Sequence, residues 1–311
     1  MKTCITFALV LATALSLAQD KPGKNDRLMS KDSNKDGKLS KEELGEQYWR
    51  RAAGQDANGD GQLDEQEIAA MQSKGRGKRT PQVRPGGANA AFTVREFKGS
   101  NGHTLHYSLF IPANEPETPL PIVLCLHGSG GNTAAANVLA APEMQQKHPC
   151  IVMAPACDGK STRWVESGFR SSDARPVMPE LMEALDSVVA ETKADSTRVY
   201  ITGQSMGGIG SWGIIASHAD KFAGAVPVCG IWEPSDAAKM NGVAIWAFHG
   251  ADDPTVPVSG SRDMIAALKK AEVKPEPKYT ELPGVGHGSW DPAYQTADLW
   301  EWLFAQKKVK P

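Results

Sequence analysis

The chain of 311 residues carries no excess of either charge. Its 34 Lys and Arg stand against 36 Asp and Glu, for a formal net charge of −2. Such a balance gives no reason to expect a nucleic acid or an anionic membrane surface as partner. Apolar runs are short as well. Nothing past residue 18 approaches the roughly 20 apolar residues that a membrane-spanning helix needs. The one early run, Ile5 to Leu17, follows Lys2 and ends in the small residues of Ser16-Leu17-Ala18. That pattern predicts a signal peptide at residues 1–18, cleaved before Gln19, and a secreted or periplasmic destination. No cysteine follows the cleavage point, so no lipoprotein signal is read. Cysteine is scarce: losing Cys4 with the leader leaves Cys125, Cys150, Cys157 and Cys229. An even number in an exported chain permits disulfides. Against that, Cys125 and Cys150 fall in or beside predicted strands, where cysteine packs as a small core residue. Cys150 and Cys157 flank an extended run too long for one bridge to close. The pairing stays open.

Acidic residues are missing altogether from Ser73 to Ala91, where Lys74, Arg76, Lys78, Arg79 and Arg84 alternate with glycine and proline. With no apolar periodicity, residues 73–91 read as a basic, flexible linker; contact with an anionic polysaccharide is the alternative. The linker divides an acidic front end from a long apolar-rich remainder, and 41% hydrophobic residues suffice for a sizeable core.

The front end, residues 25–72, holds two runs with oxygen-bearing residues at fixed intervals. Asp32, Asn34, Asp36, Lys38 and Glu43 take positions 1, 3, 5, 7 and 12 of a calcium loop, with Gly37 at the turn. Asp56, Asn58, Asp60, Gln62 and Glu67 repeat the pattern around Gly61. Positions 1, 3 and 5 offer side-chain oxygens, position 7 a backbone carbonyl, and the glutamate two oxygens that close the shell. Leu39 and Leu63, at position 8 of each, are placed to pair across the loops. The expected cofactor is Ca²⁺, structural, at two sites. The pair resembles EF-hands, although only 12 residues separate Glu43 from Asp56. They allow one shared helix carrying Leu44, Tyr48 and Ala52 on a face. Such a compact duplication also resembles dockerin modules, with Glu at position 12 where Asp is usual there. Full helix pairs are needed for a calcium-driven opening, so a structural module is favoured over a sensor. A calcium-dependent partner engaging residues 25–72 stays open.

The remainder, residues 92–311, is organised around Gly203-Gln204-Ser205-Met206-Gly207. The β-branched run Val199 to Thr202 precedes it and a helical stretch from Ile209 follows. Strand, tight turn and helix make this pentapeptide a nucleophile elbow, with Ser205 raised above a sheet. Side chains at 203 and 207 would collide there, and Gly208 gives the helix room. Three more apolar runs end in chemistry-bearing loops. Ile122 to Leu126 leads into His127-Gly-Ser129-Gly-Gly131, a source of flexible backbone N–H groups. Val243 to Phe248 leads into His249-Gly-Ala-Asp252-Asp253, and Tyr279 to Leu282 leads into Pro283-Gly-Val-Gly-His287. The order Ser205, Asp253, His287 is that of the α/β-hydrolases and differs from the other two serine-hydrolase orders.

These motifs together resemble the secreted esterases and peptidases related to prolyl oligopeptidase, dienelactone hydrolase and polyhydroxybutyrate depolymerase, over about residues 92–307. The resemblance implies an α/β fold: a doubly wound, mostly parallel sheet of the α/β-hydrolase type, preceded here by a small α-helical EF-hand-like module. It implies a carboxylic-ester hydrolase with Ser205, Asp253 and His287 catalytic and no catalytic cofactor. Asp253 is preferred to Asp252 because it matches the family's position. Met206 and Ser129 are the expected oxyanion donors. Trp290 and Trp164 are placed at the substrate pocket, with a core role open for Trp164. His127 and His249 read as structural strand-end histidines. No lid-sized insertion interrupts the sixth and seventh strands, which suits short or polymer-attached esters. Two other readings stay open: a serine peptidase of the prolyl-oligopeptidase type, and a calcium-dependent attachment protein with a vestigial hydrolase domain.

Overall fold

A computed structural model describes residues 31–45, 49, 56, 58–64, 66–68, 92–113, 118–131, 133–169 and 173–308. The expected signal peptide, the linker, and the inter-loop helix positions Tyr48 and Ala52 lie outside them. The chain divides into two compact units, residues 1–79 and 80–311. Among the described residues no helix is long and apolar enough to cross a membrane.

In the smaller unit, Leu39–Ser40 and Gln62–Leu63 form a two-stranded antiparallel bridge with Leu39 facing Leu63. Both leucines are fully buried, with Leu44 and Ile68 beside them. A four-residue helix, Lys41–Leu44, starts from a capping box in which Ser40 and Glu43 satisfy each other's backbone N–H.

The larger unit is built on eight strands: β1 Thr93–Lys98, β2 Thr104–Phe110, β3 Ile122–Leu126, β4 Ile151–Ala156, β5 Val199–Gln204, β6 Gly224–Val228, β7 Ala244–Gly250 and β8 Lys278–Leu282. The four apolar runs read from the sequence as strands are β3, β5, β7 and β8. Their order across the sheet is β8-β7-β6-β5-β3-β4-β2-β1. Only β2 runs antiparallel to its neighbours, β1 and β4, and the other pairings are parallel. The hairpin between β1 and β2 turns at Asn101-Gly102, where Gly102 has φ +79°. Strands β3 to β6 are buried at every residue, as strands covered on both faces must be.

The helices are α1 Ala134–Leu139, α2 Pro142–Lys147, α3 Met178–Glu191, α4 Met206–Ser217, α5 Ser259–Lys270, α6 Trp290–Tyr294 and α7 Leu299–Phe304. Leu181, Leu185 and Val188 of α3 face one core, with Ile214 and Ile215 of α4 and Met264 and Leu268 of α5. Leu139, Leu299 and Leu303 face a second core, with Val123, Val152 and Phe248 of the sheet. The final stretch departs from the sequence expectation of one helix over Asp291 to Ala305. It breaks between α6 and α7, where the indole N–H of Trp300 donates to the carbonyl of Tyr294 at 3.0 Å. The break also turns Trp300 inward. Trp302, expected inside, is only partly buried, against Trp246.

Candidate active site and calcium loops

Strand β5 ends and α4 begins at Ser205, whose backbone is held at φ 56° and ψ −118°. L-residues rarely adopt that conformation, and it marks stored strain. The elbow is clamped from beneath. A Cβ at Gly203 would lie 2.5 Å from the carbonyl oxygen of Gly207, and one at Gly207 would lie 2.2 Å from that of Leu126. Neither contact can relax, because each partner is backbone. The Ser205 N–H donates to Val228 O at 3.0 Å and lies 3.3 Å from Cys229 Sγ. Thr202 Oγ1 donates to Val226 O at 2.7 Å. The nucleophile candidate therefore rests on β6 as firmly as on its own strand.

The loops after β7 and β8 bring the other two residues to it. Ser205 Oγ donates to His287 Nε2 at 2.9 Å, and His287 Nδ1 donates to Asp253 Oδ2 at 2.8 Å. Asp253 Oδ1 accepts the N–H groups of Thr255 and Val256. Burial raises the carboxyl's proton affinity, but the bonds from His287 and from these amides outweigh it and hold Asp253 below the usual carboxylate range. The neighbouring Asp252 is exposed and turns its N–H to Val285 O. Geometry thus selects Asp253 over Asp252, as the motif position suggests.

The candidate oxyanion residues gather beside the elbow. Gly128 packs against Ser205, and Gly159 stands where Met206 Sδ and Ser129 Cα approach within 4 Å of its side-chain direction. His127 fixes this loop. Its Nδ1–H donates to Gly128 O at 2.7 Å, and its Nε2 accepts the N–H of Cys157 at 3.2 Å. Trp290 is half-buried, edge-on to the His287 ring at 5.6 Å. Trp164 is different. It is fully buried, lies against Gly210, and donates its indole N–H to His127 O at 2.9 Å. It forms no wall open to substrate; it locks the His127–Gly131 loop from behind. The assignment to the pocket is corrected on that ground. A cavity of 260 Å³ is lined by Phe169, Ile231, Trp232 and Glu233, in the loops after β4 and β6. Trp232 and Phe169 went unread because no motif frames them.

Cys125, Cys150, Cys157 and Cys229 are buried free thiols, which answers the open question of pairing. Burial pushes the Cys150 and Cys157 thiols up to about 12.

In the smaller unit both loops wrap inward in the same way. Asp32 Oδ2 accepts the N–H of Gly37 and Asp56 Oδ2 that of Gly61, both at 2.9 Å. Asn34 and Asn58 each accept the N–H two residues on. Glu43 and Glu67 reach back to Ser33 and Asn58 respectively. Donation from the Ser40 backbone, and then its hydroxyl, brings Glu43 down to about 2. The donors are all oxygens, arranged at calcium-loop spacing around glycines at φ +79°, so the residues present fit Ca²⁺. One contact joins the two loops: Lys38 Nζ lies 2.8 Å from Asp60 Oδ2, a candidate ligand position of the second.

Comparison with known proteins agrees with this division. The prolyl oligopeptidase family matches residues 156–241, and the EF hand matches residues 32–46. A thermostable esterase of known structure superposes with a TM-score of 0.64 at 34% identity, over 70% of this chain and 63% of that one. NocK of Nocardia uniformis subsp. tsuyamanensis, named as a candidate esterase, is 26% identical over 58% of this chain and 54% of its own. Poly(3-hydroxyalkanoate) depolymerase C of Paucimonas lemoignei is 27% identical over 42% of this chain and 33% of its own. The chain thus spans about half the length of the first curated relative and a third of the second. Strand order, strained elbow and these likenesses agree: residues 92–308 are an α/β-hydrolase domain related to esterases, and an EF-hand loop precedes it at residues 32–46.

Proposed function

We propose that this protein is an exported serine hydrolase that cleaves carboxylic esters through an acyl-enzyme, its N-terminal unit holding two structural calcium ions. The observation that carries the reading is the hydrogen-bonded series from Ser205 Oγ through His287 to Asp253, mounted on a strained elbow. His287 Nε2 takes the serine proton as Oγ attacks the acyl carbon, then gives it to the leaving alcohol. Asp253 keeps the ring in the Nδ1–H tautomer and stabilises the cation that forms. The N–H of Met206 and one from the Ser129 loop receive the oxyanion; each such donor is typically worth about 10²–10³ in rate. Water then repeats the sequence on the acyl-serine.

The calcium unit takes no part in that chemistry. Asp32, Asn34, Asp36 and Glu43 in one loop, and Asp56, Asn58, Asp60 and Glu67 in the other, hold the ions, with the carbonyls of Lys38 and Gln62. Bound calcium supplies structural cross-linking only. Export rests on the leader-like residues 1–18.

The test is a panel of p-nitrophenyl and feruloyl esters set against aminoacyl amides, with Ser205→Ala as control. Ester turnover lost in the control supports the reading. Turnover of the amides alone would replace it with the peptidase reading, which the prolyl oligopeptidase match over residues 156–241 keeps in view.

A further inference from the structure

Asp253 has a second histidine neighbour that the mechanism above does not use. His249, the penultimate residue of β7, is fully buried, and its Nε2 lies 3.3 Å from Asp253 Oδ2 and 3.0 Å from Val256 O. Neither of those oxygens can donate, so Nε2 carries the hydrogen. Burial pushes His249 below the ordinary histidine value, which leaves the ring neutral and Nδ1 bare. The hydroxyl of Ser261, on α5, lies 2.8 Å from that bare nitrogen and fills the need. Its other acceptor, Gly230 O, is farther away at 3.2 Å. The result is a single polar file from α5 to the nucleophile: Ser261 hydroxyl to His249, His249 to Val256 O, Val256 N–H and His287 to Asp253, Ser205 to His287.

We infer that His249 is a positioning residue for the serine, histidine and aspartate series, and that Ser261 selects the tautomer with which it acts. The inference rests on the triad reading. With His249 in place, Asp253 Oδ1 holds two backbone N–H groups, one of them from Val256, whose carbonyl His249 anchors, and Oδ2 takes the His287 N–H with the His249 ring 3.3 Å away. These contacts aim the carboxylate at His287. Without the second imidazole, Val256 O loses its donor and Oδ2 loses the polar edge beside it. The carboxylate charge is also less neutralised, so it draws the His287 proton more strongly. Two effects follow together: a slower reaction from a misaligned base, and an acid limb of the pH profile displaced to higher pH. A side chain that merely filled space would produce neither shift. The titratable and charged groups facing this file are few. Cys229 faces Asp253 and His287 from the end of β6. Glu281, register partner of His249 on β8, is paired with Arg262.

The test uses the full chain carrying His249→Leu, His249→Gln or Ser261→Ala. It measures kcat/KM for p-nitrophenyl acetate across pH, the rate of Ser205 labelling by a fluorophosphonate, and thermal melting. His249→Leu should cut kcat by about tenfold or more and move the acid limb up by about half a pH unit. His249→Gln, whose amide N–H reaches the place of Nε2, should recover most of both. Ser261→Ala should fall between. A folded His249→Leu protein with an unmoved limb and kcat within about twofold overturns the inference, as does a glutamine variant no better than leucine. Should both His249 variants fail to fold, Ser261→Ala decides: a displaced limb supports the tautomer file and an unmoved one overturns it. If the wild type cleaves no ester, that outcome sinks the esterase reading alone. Labelling of Ser205, which needs the same base, then supports or overturns the role of His249.

Discussion

Replacing Trp164 by phenylalanine separates a loop lock from a substrate wall. The change keeps most of the ring but removes the N–H that His127 O accepts at 2.9 Å. A buried acceptor that loses its donor costs about 1–3 kcal/mol. Taking about 2 kcal/mol, and the 2–4 °C per kcal/mol usual for domains of 150–250 residues, the melting temperature should drop by roughly 4–8 °C. The effect on catalysis travels through the chain. His127 is joined to Gly128 O and to Cys157 N–H, and the next residue on is Ser129, the proposed second oxyanion donor. Loosening His127 should lower kcat by less than the about 10²–10³ that deleting such a donor costs. KM should stay put, because the indole is fully buried. Differential scanning calorimetry beside steady-state kinetics on a short p-nitrophenyl ester reads both quantities. A several-fold rise in KM with unchanged melting and unchanged kcat would refute the argument and return Trp164 to the pocket.

Ser205→Ala should abolish ester hydrolysis while leaving the melting temperature within about 2 °C, since it removes one hydroxyl and no core volume; residual wild-type rates would dismiss the nucleophile. Acid should destabilise the larger unit early. Burial pushes both His127 and His249 below their ordinary value, so below about pH 6.5 the unfolded chain binds protons that the folded one refuses. Their contribution is complete above that pH and is lost as the pH falls. The depressed Asp253 adds its loss only below about pH 4, the unfolded carboxylate value. Melting temperature followed from pH 8 to pH 5 should show the decline, and a level curve would contradict it. Chelation should loosen residues 25–72, with stabilisation returning by mass action as free calcium passes the dissociation constant, about 10⁻⁴–10⁻³ M for many extracellular modules. It should leave kcat/KM on a small ester within about tenfold, or 1.4 kcal/mol. A larger loss would mean that the calcium unit acts on the catalytic one.

The strands were legible because a buried parallel strand is written as an uninterrupted apolar run, and Ile122 to Leu126 or Val199 to Thr202 admits no helix of useful length. The loops that follow were legible because their chemistry requires particular residues in a particular order, and Asp253 was separable from Asp252 by motif position alone. Orientation was much less so. Trp164 and Trp290 are the same residue type in comparable loops. What divides them is the burial of one beneath the loop after β3 and the half-exposure of the other beside His287, both set by packing between distant segments. The helix break after Tyr294 is marked by one indole reaching back to one carbonyl, and helical periodicity carries no trace of it. His249 was read as a strand-end histidine with a structural task, and its closeness to Asp253 arises from how the β7 loop folds over.

The bridge between Leu39 and Leu63 has a consequence for how the acidic unit meets its ion. The two loops share one rung of backbone, with Ser40 opposite Gln62. An ion that stiffens either loop also stiffens the strand its neighbour must present. Part of the disorder that a second ion would have to remove has then already gone. Such coupling needs no change of shape to be cooperative, so if both loops take calcium as proposed, the pair should respond more steeply than two loops acting alone.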